Sequence, residues 1–313
     1  MSPVHLPQRL GPFFQNFDTE TAFAFYEQVR QRLPDAHFPE TARHISGLLE
    51  IANDFDTFVF DAFGVLNVGD TPIAGAVKTI ESLRAQNKQV FVATNAASYS
   101  RQQSVVKFQR MGFDFSEFEI VTSRMAAEQA LSRHALDLWG VIASNAFAKS
   151  DLNFPSLRLT DQPEAYDCVD GFLFLSTQEW SADQQLMLER SLSKNQRQLI
   201  IANPDVIAPR EVGFSTEPGY CGHRIAELIG SPVEFHGKPF GSIFELVGEQ
   251  HRGAQDLGRV CMVGDTLHTD VLGGAAQGWS TVLISDHGLF KGHNVNDFIS
   301  RSGIVPSFIA PNI

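Results

Sequence analysis

Residues 57–65 read Thr57-Phe58-Val59-Phe60-Asp61-Ala62-Phe63-Gly64-Val65. A short apolar run that ends at an acid and is followed by glycine suits a strand buried on both faces of a parallel sheet, one that delivers Asp61 to its carboxyl edge. Comparable runs recur at 89–94, 119–122, 171–175, 199–202, 260–263 and 281–284, and helical patterns at 73–86, 98–111 and 124–134 lie among them. Strands alternating with helices predict an α/β fold of parallel sheets with helices on both faces. Neither an internal repeat nor a Pro/Gly/Ser linker marks a boundary.

Upstream of this strand, residues 1–54 read as an N-terminal helical arm. Phe17-Asp18-Thr19-Glu20 supplies a capping signal, and Phe23, Phe25, Tyr26, Val29 and Leu33 recur at helical spacing before Pro34. The aromatic cluster Phe13, Phe14, Phe17, Phe23, Phe25 and Tyr26 reads as packing, with a homodimer contact as the alternative. At 313 residues the chain is about twice the ~150 residues typical of a domain. Lys and Arg number 24 against 36 Asp and Glu, a net charge of −12. That surface repels a phosphate backbone and argues against nucleic acid as a partner. No apolar run approaches the ~18 residues that would cross a bilayer, and the first residues lack the continuous apolar stretch of a secretory signal. Cys168, Cys221 and Cys261 lie far apart without C-x-x-C spacing. They read as small core residues of a protein in a reducing compartment, so a cytoplasmic location is expected.

In an open parallel sheet the ligand lies beyond the carboxyl ends of the strands, so the residues that follow each apolar run are the candidates for chemistry. Asp61 follows one run, and Thr94 and Asn95 follow the next. Lys238 stands in His236-Gly237-Lys238-Pro239 after Val233-Glu234-Phe235, and Asp265 follows Cys261-Met262-Val263-Gly264, with Asp270 further on. Asp265 and Asp270 have helix capping as a competing role.

These four motifs, FVFDAFGVL, VFVATN, HGKP and MVGDTLHTD, resemble those of the haloacid dehalogenase-like (HAD) superfamily, over roughly residues 55–313. Ala202-Asn203-Pro204-Asp205 and Glu217-Pro218-Gly219 resemble strings of its class IIA branch. The resemblance implies a Rossmann-like parallel-sheet core with an inserted α/β cap. The stretch between Asp61 and Thr94 suffices for a flap, a helix and a strand, whereas the stretch from Thr94 to Lys238 must hold a further α/β unit. The cap is therefore expected at 101–232 and the core at 55–100 and 233–313.

The resemblance further implies a Mg²⁺-dependent phosphohydrolase of small phosphorylated metabolites such as sugar phosphates, acting through an aspartyl phosphate on Asp61. Thr94, Asn95 and Lys238 would bind the phosphoryl group, Lys238 also in a catalytic role. Asp61, the carbonyl of Phe63, Asp265 and Asp270 would hold the metal. One residue departs from the pattern. The family's phosphatases carry an acid two residues after the nucleophile, and this chain carries Phe63. Loss of a general acid worth ~10²–10⁴ in rate leaves three readings open: a slowed phosphatase, a phosphate-binding or regulatory protein, and a different reaction at the same Asp61. His236 and His268 are the candidates to replace the acid.

Overall fold

The apolar run around Val59 forms a strand, β2 (Thr57–Phe60), buried at all four positions. The computed structural model describes residues 17–135, 137–145, 147–148, 152–210, 213–250 and 258–313, and every statement on the fold refers to these; Phe13 and Phe14 of the aromatic arm lie outside them. Strand β2 belongs to a seven-stranded sheet with β1 (Arg43–His44), β5 (Gln89–Thr94), β6 (Ile120–Thr122), β14 (Val260–Gly264), β15 (Ser280–Ile284) and β16 (Phe308–Ala310). The order is β1-β16-β15-β14-β2-β5-β6, and every pairing is parallel. From β2 the chain steps outward through β5 and β6, and from β14 it steps the other way through β15 and β16. The direction of travel reverses between β2 and β14, which opens a crevice at their carboxyl ends.

Alternation along the strands sends side chains to opposite faces. Phe58, Phe60 and Val92 join a core with Ile80 and Leu83 of α2 (Ala76–Ala85) and Phe108 of α3 (Arg101–Arg110). Val59, Phe91 and Ala93 face Ala126 of α4 (Ser123–Leu131) and Phe244 of α8 (Gly241–Gln250). Two more helices, α9 (Leu272–Ala276) and α10 (Val295–Ser302), follow β14 and β15.

The inserted cap has its own parallel five-stranded sheet of β7 (Trp139–Ile142), β8 (Ser156–Arg158), β9 (Gly171–Phe174), β10 (Gln198–Ile201) and β13 (Val233–Phe235), in the order β13-β10-β9-β7-β8. Helices α5 (Pro163–Asp167), α6 (Ala182–Lys194) and α7 (Pro218–Ile229) pack with it. Two hairpins lie outside these sheets: β3 (Asn67–Val68) with β4 (Thr71–Pro72), after the first acid, and β11 (Ile207–Pro209) with β12 (Phe214–Thr216), in the cap.

Three expectations are corrected. The borders 101 and 232 both move along the chain, because Ile120–Thr122 pairs with β5 in the large sheet and Val233–Phe235 pairs with β10 in the small one. The N-terminal arm is not simply helical. Asp18 and Thr21 form a capping box for α1 (Thr19–Gln28), with the Thr21 amide donating to Asp18 Oδ1 at 2.8 Å, but Arg43–His44 then adds β1 to the edge of the large sheet. Cys168 is exposed, while Cys221 and Cys261 are buried as expected. No described helix is long and apolar enough to cross a membrane.

Candidate functional site

Strand register brings the motif residues together. Phe60 pairs with Val92 on one side and Val263 on the other, and the Asp61 amide donates to the Val263 carbonyl at 2.8 Å. Asp61 is therefore level with Ala93 and Gly264, and Thr94 and Asp265 stand one step beyond, at the crevice. Close approach needs glycine here. A Cβ on Gly64 (φ +76°) or Gly288 (φ +84°) would overlap the Asp265 carboxylate, so the backbone that wraps this acid has no room for another side chain.

Lys238 is 1% exposed. Its Nζ pairs with Asp61 Oδ1 and, at 2.9 Å, with Asp270 Oδ1. Asp265 accepts from the Thr266 hydroxyl at 2.9 Å and the Leu289 amide at 3.0 Å, and Asp270 accepts from the Thr266 amide at 3.2 Å. Asp270 lies in a π-turn, Leu267–Val271, ahead of α9, so it does not cap an α-helix directly. Carboxylate oxygens of Asp61, Asp265 and Asp270 lie within 4.8 Å of one another. Burial pushes Asp61 up to about 6 even with the Lys238 cation beside it. Burial, with Asp270 and Asp61 adding to it, holds Asp265 well above the usual carboxylate range. Burial alone would lower Lys238, but Asp270, Asp61 and Asp205 together raise it. One buried cation facing three acids, two of them buried and Asp61 half-buried, leaves negative charge uncompensated, and a hard, oxygen-ligated divalent cation suits such a cluster.

Thr94 Oγ1 accepts from the Ala96 amide at 3.2 Å, which leaves its proton free to donate. Asn95 is committed on several sides. Its Oδ1 accepts from the Lys238 amide at 2.8 Å, while its Nδ2 donates to the Lys238 carbonyl at 2.9 Å and to Asp205 Oδ1 at 2.8 Å. The side chain of Asn95 thus anchors the lysine loop and ties it to the cap.

Two residues of the site are absent from the sequence-based set. Asp205 follows β10 of the cap and lines the cavity over Asp61; burial holds it well above the usual carboxylate range, opposed by Lys238. Tyr26 of α1 lines the same cavity, and its hydroxyl accepts from the Val206 amide at 3.0 Å. The strand-end rule that finds Asp61 also finds Asp205 when applied to the run 199–202. No pattern in the arm distinguishes Tyr26 from its aromatic neighbours.

Phe63 lines both this cavity and an adjoining cleft of about 760 Å³. Lys107 Nζ stands 4.9 Å from its ring centroid and the Arg210 guanidinium 5.8 Å. The two histidines lie away from this point. His268 is fully buried against α1, where it stacks on Tyr26 and contacts Glu27 Oε1 at 2.5 Å. His236 contacts Ser242 Oγ at 3.2 Å. Neither lines the cavity over Asp61 or the adjoining cleft.

Two family models match the chain: haloacid dehalogenase-like hydrolase over residues 58–150, and HAD-hydrolase-like over residues 235–312. Between them they span more than half of it. The human glycerol-3-phosphate phosphatase is 27% identical over 292 residues, 83% of this chain and 89% of that protein. A possible sugar phosphatase from Cytophaga hutchinsonii superposes with a TM-score of 0.75 at 23% identity, covering 87% of this chain and 98% of that one. A glycerol phosphate phosphatase from Mycobacterium tuberculosis, solved in complex with magnesium, superposes with a TM-score of 0.65 at 20% identity, covering 85% and 76%. At these identities the superpositions establish the fold.

Proposed function

Because the chain belongs to the haloacid dehalogenase-like hydrolases, we propose that it hydrolyses phosphate monoesters of small metabolites with Asp61 as the nucleophile. The observation that carries this reading is the convergence of Asp61, Lys238, Asp265 and Asp270 at the point where strand order reverses. The relatives named as phosphatases of small phosphorylated metabolites support it.

The donor set fits a divalent cation. Three carboxylates offer hard oxygen atoms around one point, a single lysine compensates them only in part, and the wrapping backbone at Gly64 and Gly288 leaves the Asp265 carboxylate room. Mg²⁺ would be held by Asp61, Asp265 and Asp270, with the Phe63 carbonyl as a further ligand; a glycerol phosphate phosphatase of the same fold was solved in complex with magnesium. When bound, it would offset the repulsion between a phosphoryl dianion and the Asp61 carboxylate.

The chain's own residues do the rest. Asp61 attacks phosphorus as the P–O bond to the ester oxygen breaks and the alcohol departs, leaving an acyl phosphate, so one hard displacement becomes two easier ones. Lys238 holds the Asp61 carboxylate in place and offsets charge that gathers on the phosphoryl oxygens. The Thr94 hydroxyl donates its free proton to one of those oxygens. Water then displaces Asp61 and releases phosphate.

A panel of small phosphate monoesters, assayed for inorganic phosphate with Mg²⁺ and with chelator, tests this. Turnover is expected with Mg²⁺ and not with chelator, and Asp61→Asn should lose it while melting at the same temperature or higher, since a half-buried acid at about 6 is replaced by a neutral isostere. An Asp61→Asn protein with wild-type turnover would disprove the mechanism.

A further inference from the structure

The cavity over Asp61 and the 760 Å³ cleft beside it meet at four residues that line both, Phe63, Ala96, Asp205 and Ala208. Their junction is where the bond between phosphorus and the leaving oxygen must lie, because the phosphoryl group sits against Asp61 and the remainder of the ester needs the larger space. In-line displacement places the leaving oxygen opposite Asp61, on the side that the cap covers. Of the four junction residues only Asp205 can carry a proton.

Asp205 is also held as a proton carrier should be. Its Oδ1 accepts from Asn95 Nδ2 at 2.8 Å, and its amide donates to Asn203 Oδ1 at 3.0 Å. Its other carboxyl oxygen has no hydrogen-bond partner among the described residues. Resting on the phosphohydrolase reading above, we propose that Asp205, reaching down from the cap, is the general acid and base that stands in for the acid replaced by Phe63. As Asp61 bonds to phosphorus and the P–O bond to the leaving group breaks, the departing oxygen takes the Asp205 proton and leaves as an alcohol. The Asp205 carboxylate then takes a proton from the water that attacks phosphorus, the P–O bond to Asp61 breaks, and the protonated acid, the Asp61 carboxylate and inorganic phosphate are restored.

Lys238, Asp61 and Asp270 face Asp205 from the core, and Tyr26 faces it from α1. This arrangement moves the acid from the core to the cap, so proton transfer becomes available only where the cap covers the ester.

The test compares Asp205→Asn with wild type on an alkyl phosphate and on 4-nitrophenyl phosphate, whose leaving group needs no proton. Asparagine keeps an acceptor for Asn95 Nδ2, so the melting temperature should hold. The expected result is a ~10²–10⁴-fold loss of kcat/KM on the alkyl ester, a much smaller loss on the aryl ester, and disappearance of the alkaline limb of the alkyl pH profile. The ratio of the two esters is independent of how much of the variant is folded, so partial misfolding does not blur the result. An unchanged ratio and an unchanged alkaline limb, in a protein that Asp61→Asn inactivates, would overturn the role of Asp205 alone. A wild-type protein that hydrolyses neither ester would overturn the phosphohydrolase reading and this inference with it.

Discussion

Phe63 shows how one side chain can keep a fold and move its chemistry. Its ring lies within reach of Lys107 on α3 and Arg210 after β11, cations that are themselves paired with Asp70 at 3.0 Å and Glu217 at 2.9 Å. Each cation–π contact is worth about 0.5–1 kcal/mol at such partly exposed sites, so the ring pins a core helix to the cap hairpin. Restoring an acid with Phe63→Asp would place a carboxylate between the same two cations. Paired in that way it stays ionised at neutral pH and has no proton to give. We therefore expect kcat/KM on an alkyl phosphate to stay within about tenfold of wild type, short of the ~10²–10⁴ of an effective general acid, together with a lower melting temperature. A gain of a hundredfold or more would show that position 63 had merely lost its acid and that the cap supplies none.

At the scale of elements, α7 carries a group that the fold holds against its own chemistry. His223 is buried, stacks on Phe235 at 4.4 Å, and has no hydrogen-bond partner for either ring nitrogen among the described residues. Burial, with Arg32 adding to it, lowers its pKa to about 3. An unfolded histidine titrates near 6.5, so below that pH the unfolded chain binds a proton that the folded chain refuses. The stability tied to neutral His223 is present above about pH 6.5 and is lost as pH falls toward 3. Relative to His223→Phe, wild type should lose about 2–3 kcal/mol of unfolding free energy between pH 6.5 and 4.5, at ~1.4 kcal/mol per unit; denaturant curves that run parallel at the two pH values would refute it. Elements like α7 also show what sequence reveals. Buried parallel strands are legible because both faces are apolar, which is why β2, β5 and β14, and the site residues at their ends, read directly from the chain. Trp139–Ile142 is a comparable run that the same reading passes over. Arg43–His44 is two exposed polar residues whose strand character comes wholly from pairing with β16. The run at 233–235 reads as a strand, yet nothing in it says which sheet it joins.

The two large sheets are joined by more than their chain connections, and the segment around α1, residues 17–32, spans them. On the cap side Phe25 lies 4.9 Å and Phe17 5.4 Å from the Tyr220 ring, Arg32 pairs with Glu227, and Tyr26 takes the Val206 amide. On the core side Thr19 donates to the Leu289 carbonyl at 2.9 Å, Glu20 pairs with Arg301 at 2.9 Å, Phe23 packs on Phe298 at 5.1 Å, and Glu27 meets His268. None of this is readable from the arm, because a helical apolar stripe specifies that a face is buried and not that its two flanks meet different sheets. The consequence is cooperativity. If α1 couples the cap to the core, calorimetry of wild type should give one transition whose van't Hoff and calorimetric enthalpies agree. Phe25→Ala removes a buried ring from the cap side only, a change that costs about 3–5 kcal/mol in a well-packed site, while the core-side contacts of Thr19, Glu20, Phe23 and Glu27 stay in place. That cost falls on the coupling and not on either sheet, so the cap should melt first and the core near the original temperature, as two resolved transitions. A single transition displaced downward as a unit would mean that the cap and core are coupled elsewhere, with Asn95 and its bonds to Asp205 and Lys238 the next contact to break.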